Sequence, residues 1–351
     1  MRTFICNIPP NELLTKLNAP QAPNNFCQNL FNGNIFERIH SIVPISYWYK
    51  PIQIEDNIKY YNGYPKPNRF IKILQYIYLN IRCALNSRRS DSIWFYNICK
   101  ANLICFMILR FIFFKKVFVI LLDYTPSNNP FNIQFYIPYL YKKVNGVISL
   151  SQRTDIINHN VGYKAGIIPI QYNKETNLFN KNKKLRFLFS GNLSHHTGLL
   201  LAIDTFKDLP DIELYLCGLG NIDNAKITPH KNIHYLGYLN YEEYLKLYEK
   251  IDVCLSLRDP QYEENNYNFP SKILEYFSYR KIVISTIKYP ELTEFKYFHC
   301  NYNQKSLTKT ILEITNSNYN ELNKYTDNIN ALNNNFSINS WKKMILQIEK
   351  S

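Results

Sequence analysis

The feature that most constrains this 351-residue chain is a regular alternation in its second half. Short apolar runs stand at "KLRFLFS" (184–190), "IELYLCG" (212–218), "NIHYLG" (232–237), "DVCLSL" (252–257) and "IVIST" (282–286). Between them lie segments with helical periodicity, "LLLAIDTF" (199–206), "YEEYLKLYEKI" (241–251) and "PSKILEYFSY" (270–279). Strands that read as continuous Val, Ile, Leu and Phe, separated by helices, predict a parallel sheet buried on both faces. That is a doubly wound α/β domain.

The first half alternates less cleanly. "RTFICNI" (2–8), "SIWFYNI" (92–98), "KKVFVILLDY" (115–124) and "NGVISLS" (145–151) read as strands, and "RFIKILQYIYLNIRCAL" (69–85) as a long helix. The apolar run Leu103 to Leu122 has the length of a membrane span, but Arg110, Lys115 and Lys116 break it. A buried helix followed by a buried strand is expected there, with an exposed apolar helix face able to dock on a membrane. Around Pro169 to Leu185 the composition turns polar and aperiodic, which predicts a linker. The expected organisation is therefore a domain over 1–172 and a second over 173–325. A C-terminal helix within 326–351, with Trp341, Met344, Ile345 and Ile348 on one side, is expected to pack back on the first. Two Rossmann-like domains would hold a ligand in a cleft between them, at the carboxyl ends of their strands.

The net charge of +14, from 41 Lys plus Arg against 27 Asp plus Glu, favours anionic partners. The bases are scattered and no nucleic-acid-binding signature accompanies them, so nucleic acid is not the expected partner. If it were, binding would fall steeply with salt. None of the eight Cys forms a C-x-x-C pair, and buried reduced thiols are expected. The N-terminus lacks the apolar core of a signal peptide, which points to the cytoplasm.

Three loops carry the chemistry. "GLGNID" (218–223) starts as a dinucleotide fingerprint, but Asp223 replaces its third glycine, so a tight turn is the better reading. "FSGNLSHHTG" (189–198) links a strand to a helix through two glycines whose neighbouring amides could face an anion. His195 and His196 have no metal-ligand spacing and read as exposed loop residues. In "NYNFPSKILEY" (266–276), Asn268 is the expected N-cap and Pro270 suits the first helical turn. Lys272 sits where the helix dipole disfavours a cation, and Glu275 follows on the same face. Either they form a surface pair, or the helix end meets a nucleotide diphosphate and Glu275 accepts hydrogen bonds from the ribose.

Taken in order, "FLFSGNLSHHTG", "ELYLCGLG", "NIHYLGYLNYEEYLKLYEKIDVCLSLR" and "FPSKILEYFSYRKIVIST" resemble the donor domain of retaining glycosyltransferases of the GT-B fold, family 4 type. The Phe-Pro-Ser-Lys signature is similar to that of members that build surface polysaccharides such as capsule, exopolysaccharide or O-antigen. Weaker similarity reaches the N-terminal "APNNFCQNLFNGNIFERIHSIVPI". The resemblance implies a GT-B architecture and transfer of a sugar from a UDP- or GDP-sugar to a glycan or polyprenyl-diphosphate-linked acceptor. No cofactor or metal is implied. Glu275 would bind the nucleotide ribose; Phe269, Pro270, Ser271 and Lys272 would contact the diphosphate, and Arg258 would face it. Gly191 and Asn192 would lie beneath the sugar, and Leu239 and Asn240 beside the base. Asp123, ending a strand of the first half, would orient the acceptor hydroxyl or simply cap a loop, with Asn24 and Asn25 as further acceptor-side candidates.

The sequence departs from the family at three places. Tyr267 stands where the first acid of a Glu-x7-Glu pattern belongs, Asn192 and Thr197 where a basic pair is common, and Arg280 where a glycine ends the key helix. These departures keep open a non-catalytic relative that binds a nucleotide or a partner. A nucleotide-sugar epimerase of the same fold is the runner-up within catalysis, though no pair of carboxylates for its proton transfers is assigned. A peripheral position on the inner face of the plasma membrane, on an anionic surface, would suit a lipid-linked acceptor.

Overall fold

The computed structural model describes residues 1–14, 21–48, 54–55, 57–65, 68–122, 127–151, 158–168, 184–220, 230–262, 265 and 268–351. The chain divides into two compact units, Met1–Ile167 with Ser337–Ser351, and Ile168–Phe336. The polar stretch at 169–183 lies outside the described residues.

The first unit is built on eight strands: β1 (Arg2–Cys6), β2 (Arg38–Ile42), β3 (Ile54–Glu55), β4 (Ile58–Tyr61), β5 (Ser92–Tyr96), β6 (Lys116–Leu121), β7 (Gly146–Ser149) and β8 (Val161–Tyr163). Their order is β3-β4-β2-β1-β5-β6-β7-β8, and every pairing is parallel except β3 with β4. The chain builds outward from β1 on one side, then returns to add β5 and its successors on the other. The order reverses between β1 and β5, the place where open α/β sheets take ligands. All five residues of β5 are buried, as a strand covered on both faces requires.

Asn68 starts the long helix Arg69–Ser87, its side chain accepting from the amides of Phe70 and Ile71. The apolar run at 103–122 folds as a short helix, Leu103–Met107, a π-helical turn, Ile108–Ile112, and then β6. Arg110 is the reason it stops: its guanidinium donates to the Lys115 carbonyl and to Asn145 Oδ1, both at 3.1 Å. Among the described residues, no helix is long and apolar enough to cross a membrane. All eight cysteines are free, and only Cys99 is less than fully buried.

The last helix, Ile338–Lys350, belongs to the first unit. Trp341 is fully buried, sets its ring edge-on to Phe26 and donates its Nε1 to the Gly166 carbonyl at 2.6 Å. At the far end Glu349 accepts from Ser92 Oγ (2.6 Å), Trp94 Nε1 (2.9 Å) and Arg2 Nε (2.9 Å). One carboxylate thus ties the chain terminus to β1 and β5.

The second unit has six parallel strands: β9 (Arg186–Asn192), β10 (Glu213–Leu219), β11 (Ile233–Tyr235), β12 (Val253–Ser256), β13 (Ile282–Ser285) and β14 (Phe298–His299). Their order, β11-β10-β9-β12-β13-β14, reverses between β9 and β12. The helices Leu199–Phe206, Tyr241–Lys250, Lys272–Ser278 and Gln304–Asn316 connect and cover them. The helix expected to start at Asn268 starts later, at Lys272, with Ser271 as an N-cap that makes no side-chain bond. The cause is Pro270, which pushes Phe269 toward extended backbone. Phe269 then buries its ring edge-on against Tyr289 at 5.2 Å.

The same helix ends in a Schellman motif. Lys281 N donates to the Tyr276 carbonyl and Arg280 N to the Phe277 carbonyl, both at 3.0 Å. Arg280 therefore holds φ at 53°, a left-handed conformation that favours glycine. Arg280→Gly is expected to raise unfolding stability by up to about 1 kcal/mol, the larger backbone entropy of unfolded glycine limiting the gain. Glu349→Ala should lower it by about 2–3 kcal/mol, because it orphans the Trp94 and Ser92 donors and Arg2 together. Urea midpoints at constant m-value check both.

Candidate functional site

β9 and β10 reach the carboxyl edge of the second sheet with Gly191 opposite Gly218. The two backbones touch. A Cβ on Gly218 would lie 1.8 Å from the Gly191 carbonyl oxygen, and Gly218 holds φ at 145°. Gly191 itself has φ 128°, and a Cβ there would meet the Lys272 side chain at 3.6 to 3.8 Å. The lysine stem lies across the bare backbone at the tip of β9.

Lys272 is the first residue of its helix, and its ammonium's partners among the described residues are neutral. Nζ donates to Ser190 Oγ at 3.3 Å and reaches Tyr244 OH at 3.5 Å, 5.1 Å from the centre of that ring. Ser190 Oγ also bonds Tyr244 OH (2.7 Å) and Tyr276 OH (2.9 Å), and Tyr244 OH bonds Tyr248 OH (2.8 Å). Burial pushes the phenol pKa values of Tyr244, Tyr248 and Tyr276 well up, so all three stay neutral. Among the described residues no carboxylate pairs with Lys272. A lysine positioned by hydroxyls alone keeps its full charge for an anion.

Glu275 follows one turn later. No described residue hydrogen-bonds or ion-pairs with its carboxylate. Burial raises its pKa above the usual carboxylate range, and the attraction of Lys272 opposes that rise only in part. Burial likewise lifts the Cys217 thiol to about 11, where it feels both Lys272 and Glu275. Among the described residues the arrangement is a cation with no ion pair beside an acid with no donor, unlike a closed surface salt bridge.

Arg258 leaves the end of β12 and donates Nη1 to the Asn268 carbonyl at 3.0 Å, while its own carbonyl accepts from Thr286 Oγ1 at 2.6 Å. It thereby anchors the segment leading to Lys272. Near it, the buried hydroxyl of Tyr289 has no hydrogen-bond partner among the described residues, and burial raises its pKa against the opposing pull of Arg258.

Residues 171–330 match the family described as glycosyl transferases group 1. Over those residues the chain is similar to the group 1 glycosyltransferases. Its whole length also follows solved structures. A glycosyltransferase from Rickettsia africae ESF-5 superposes with a TM-score of 0.66 at 14% identity, over 99% of this chain and 98% of that one. The lipopolysaccharide outer core galactosyltransferase WaaB gives 0.60 at 12% identity, over 99% of each chain. The UDP-GlcNAc 2-epimerase from Neisseria meningitidis gives 0.56 at 11% identity, over the full length of both. At such identities the likeness is one of fold, the GT-B architecture of two Rossmann-like domains. The curated proteins contain no match to the chain.

Within the matched residues, Gly191, Lys272 and Glu275 gather around Ser190 and Cys217, and Arg258 holds the adjoining segment. Phe269 and Pro270 are buried and Ser271 is exposed. Asn192 is exposed, and its carbonyl accepts from Thr197 Oγ1, which also closes a capping box with Ser194. Leu239 is half-buried, and Asn240 caps the helix Tyr241–Lys250 through reciprocal 3.0 Å bonds with Glu243. The Asn240 side chain is thus tied to the helix whose next turn carries Tyr244. His196 Nε2 lies 3.3 Å from Ser194 Oγ, and His195 Nδ1 the same distance from Tyr262 OH. In the first unit Asn24 is buried and donates to Asn11 Oδ1 at 2.9 Å. Asp123 and Tyr267 lie outside the described residues. Among those residues no group of three or more His, Cys, Asp or Glu could hold a metal.

Sequence reasoning passed over Ser190, Tyr244, Tyr276 and Tyr289. The signal for two of them was present: Tyr244 and Tyr248 are four apart on one helix face, and Tyr276 is four beyond Lys272.

The raised pKa of Glu275 sets a pH dependence. Its carboxyl ionises at the ordinary value when unfolded and above it when folded, so stability falls as pH rises through that window. Glu275→Gln is expected to melt above wild type at neutral pH, the difference vanishing as pH drops to about 4. Melting curves across that range check it, and a lower melting point for the variant at neutral pH would contradict it.

Proposed function

We propose that the chain is a retaining glycosyltransferase, moving a sugar from a UDP- or GDP-sugar to a glycan or polyprenyl-diphosphate-linked acceptor in surface-polysaccharide synthesis. The observation that carries this is the Lys272 ammonium across the bare β9 tip, with the Glu275 carboxylate one turn away, neither of them in an ion pair among the described residues. A nucleoside diphosphate completes both. Its phosphates meet Lys272 and Arg258, and its ribose hydroxyls donate to Glu275, offsetting the desolvation of that acid. Gly191 lets the donor approach the backbone where a side chain would intervene. The donors are cytoplasmic metabolites, so the reading places the chain in the cytoplasm.

In the transfer step the acceptor oxygen bonds to the anomeric carbon on the face from which the diphosphate departs. The old carbon–oxygen bond breaks, and its electron pair stays on the leaving phosphate oxygen, which takes the acceptor proton. Rate enhancement comes from holding the two substrates together and from positive charge fixed where the diphosphate charge develops. Lys272 and Arg258 supply that charge, so the reading requires no metal. Asp123 is assigned to orienting the acceptor, and Asn192, Leu239, Asn240, Phe269, Pro270 and Ser271 to the donor.

Calorimetry with UDP, GDP, ADP and CMP tests the site. One nucleoside diphosphate is expected to bind in the micromolar range, and Lys272→Ala or Glu275→Ala to weaken it about tenfold or more. Failure of all four to bind folded protein would overturn the site. Incubation with the matching donor then separates the rivals. Sugar transfer or slow donor hydrolysis supports the transferase, an epimerised nucleotide sugar indicates the epimerase reading, and an unchanged donor the non-catalytic one.

A further inference from the structure

The helix Arg69–Ser87 is apolar on the wrong side for a water-facing helix. Its buried face is formed by Asn80, Cys83, Ala84 and Ser87. Its solvent face carries Phe70, Leu74, Tyr78, Ile81 and Leu85, all exposed, with Phe70 at 67% and Tyr78 at 58%. At about 100° per residue these five fall within about 80° of one another, as a stripe along a helix about 28 Å long. The Leu103–Met107 helix and the π-helical turn after it pack against this helix and extend the apolar surface through Met107, Phe111 and Ile112. Phe114, at the reversal that follows, is 82% exposed and holds φ at 51°.

The charge carried by this stretch of chain is nearly all of one sign. Residues 57–122 contain eleven Lys or Arg and a single acid, Asp91, which is already paired with the N-terminal ammonium. Arg69, Arg82, Arg88, Arg89 and Lys116 are exposed beside the apolar stripe. A second copy of the chain docking by the same face would set these bases against themselves. An anionic bilayer answers both features, because its acyl boundary takes the apolar stripe and its headgroups take the flanking bases.

We infer that the Arg69–Ser87 helix, with the adjoining π-helical turn, is the face by which this protein lies on an anionic membrane surface. The inference does not rest on the donor reading, since a chain that binds no nucleotide would still bind vesicles. If both hold, the lipid-linked acceptor is presented in the plane on which the first unit rests.

Co-sedimentation of the full chain with phosphatidylcholine vesicles, with and without phosphatidylglycerol, tests this. Wild type is expected to bind the phosphatidylglycerol vesicles far better, with binding that falls as salt is raised. Leu74→Glu/Ile81→Glu is expected to lower partitioning about tenfold or more with unchanged melting, as both positions face solvent. Arg82→Glu/Arg88→Glu should weaken binding and flatten its salt dependence. Three results would overturn the inference: no binding to phosphatidylglycerol vesicles, equal binding by wild type and Leu74→Glu/Ile81→Glu, or a dimer by sedimentation that this substitution dissociates. Unaltered nucleotide affinity in the same variant would show that a lost membrane contact is distinct from a lost donor site.

Discussion

Parallel pairing is the constraint from which the rest follows. A parallel strand must be reached by a crossover that returns the chain to the other end of the sheet, so all loops that follow strands gather at one edge. In the second unit this brings the ends of β10, β9 and β12 side by side, and with them Gly218, Gly191 and Arg258. Lys272, more than eighty residues after Gly191, reaches the tip of β9 because the crossover from β12 to β13 begins at that edge. The close approach of β9 and β10 then depends on glycine alone, since a Cβ on Gly218 would overlap the Gly191 carbonyl.

At that edge the described residues leave two opposite charges unanswered within one helical turn. Lys272 has hydroxyl partners, and Glu275 is desolvated with no donor. In an ordinary surface helix such a pair would meet, for a gain of a few tenths of a kcal/mol. Here the lysine instead lies back over β9, where Ser190 and Tyr244 hold it. The arrangement is poorer for the free protein than a closed ion pair, and it leaves both charges available to a ligand. The same helix ends on Arg280 at positive φ, so it carries a second local cost.

Much of the second sheet was legible because burial on both faces writes itself as uninterrupted apolar runs. The strands at 186–192, 213–219, 253–256 and 282–285 all coincide with such runs. β14 has two residues and β8 three, too few for any pattern to emerge. The run at 103–122 was legible as helix then strand because Arg110 interrupts it, although the π-helical turn that Arg110 stabilises was not. The start of the Lys272–Ser278 helix was misplaced at Asn268, a good capping residue in isolation. Pro270 and the burial of Phe269 outweighed that local preference.

By itself the sequence determined the parallel α/β class, the motif order, and the i, i+3 relation of Lys272 to Glu275, because these depend on patterns within a few residues. Only the tertiary structure decided what surrounds them. Ser190 and Tyr244 meet Lys272 from two other elements, and no local pattern encodes that meeting. The exposed stripe of Arg69–Ser87 is a second case. Its periodicity announces a helix with apolar residues on two faces, but which of those faces the sheet covers is settled by the packing of the neighbouring elements. The physical reason is common to both: periodicity records what each segment can bury, whereas charge compensation and exposure depend on which distant segments arrive beside it.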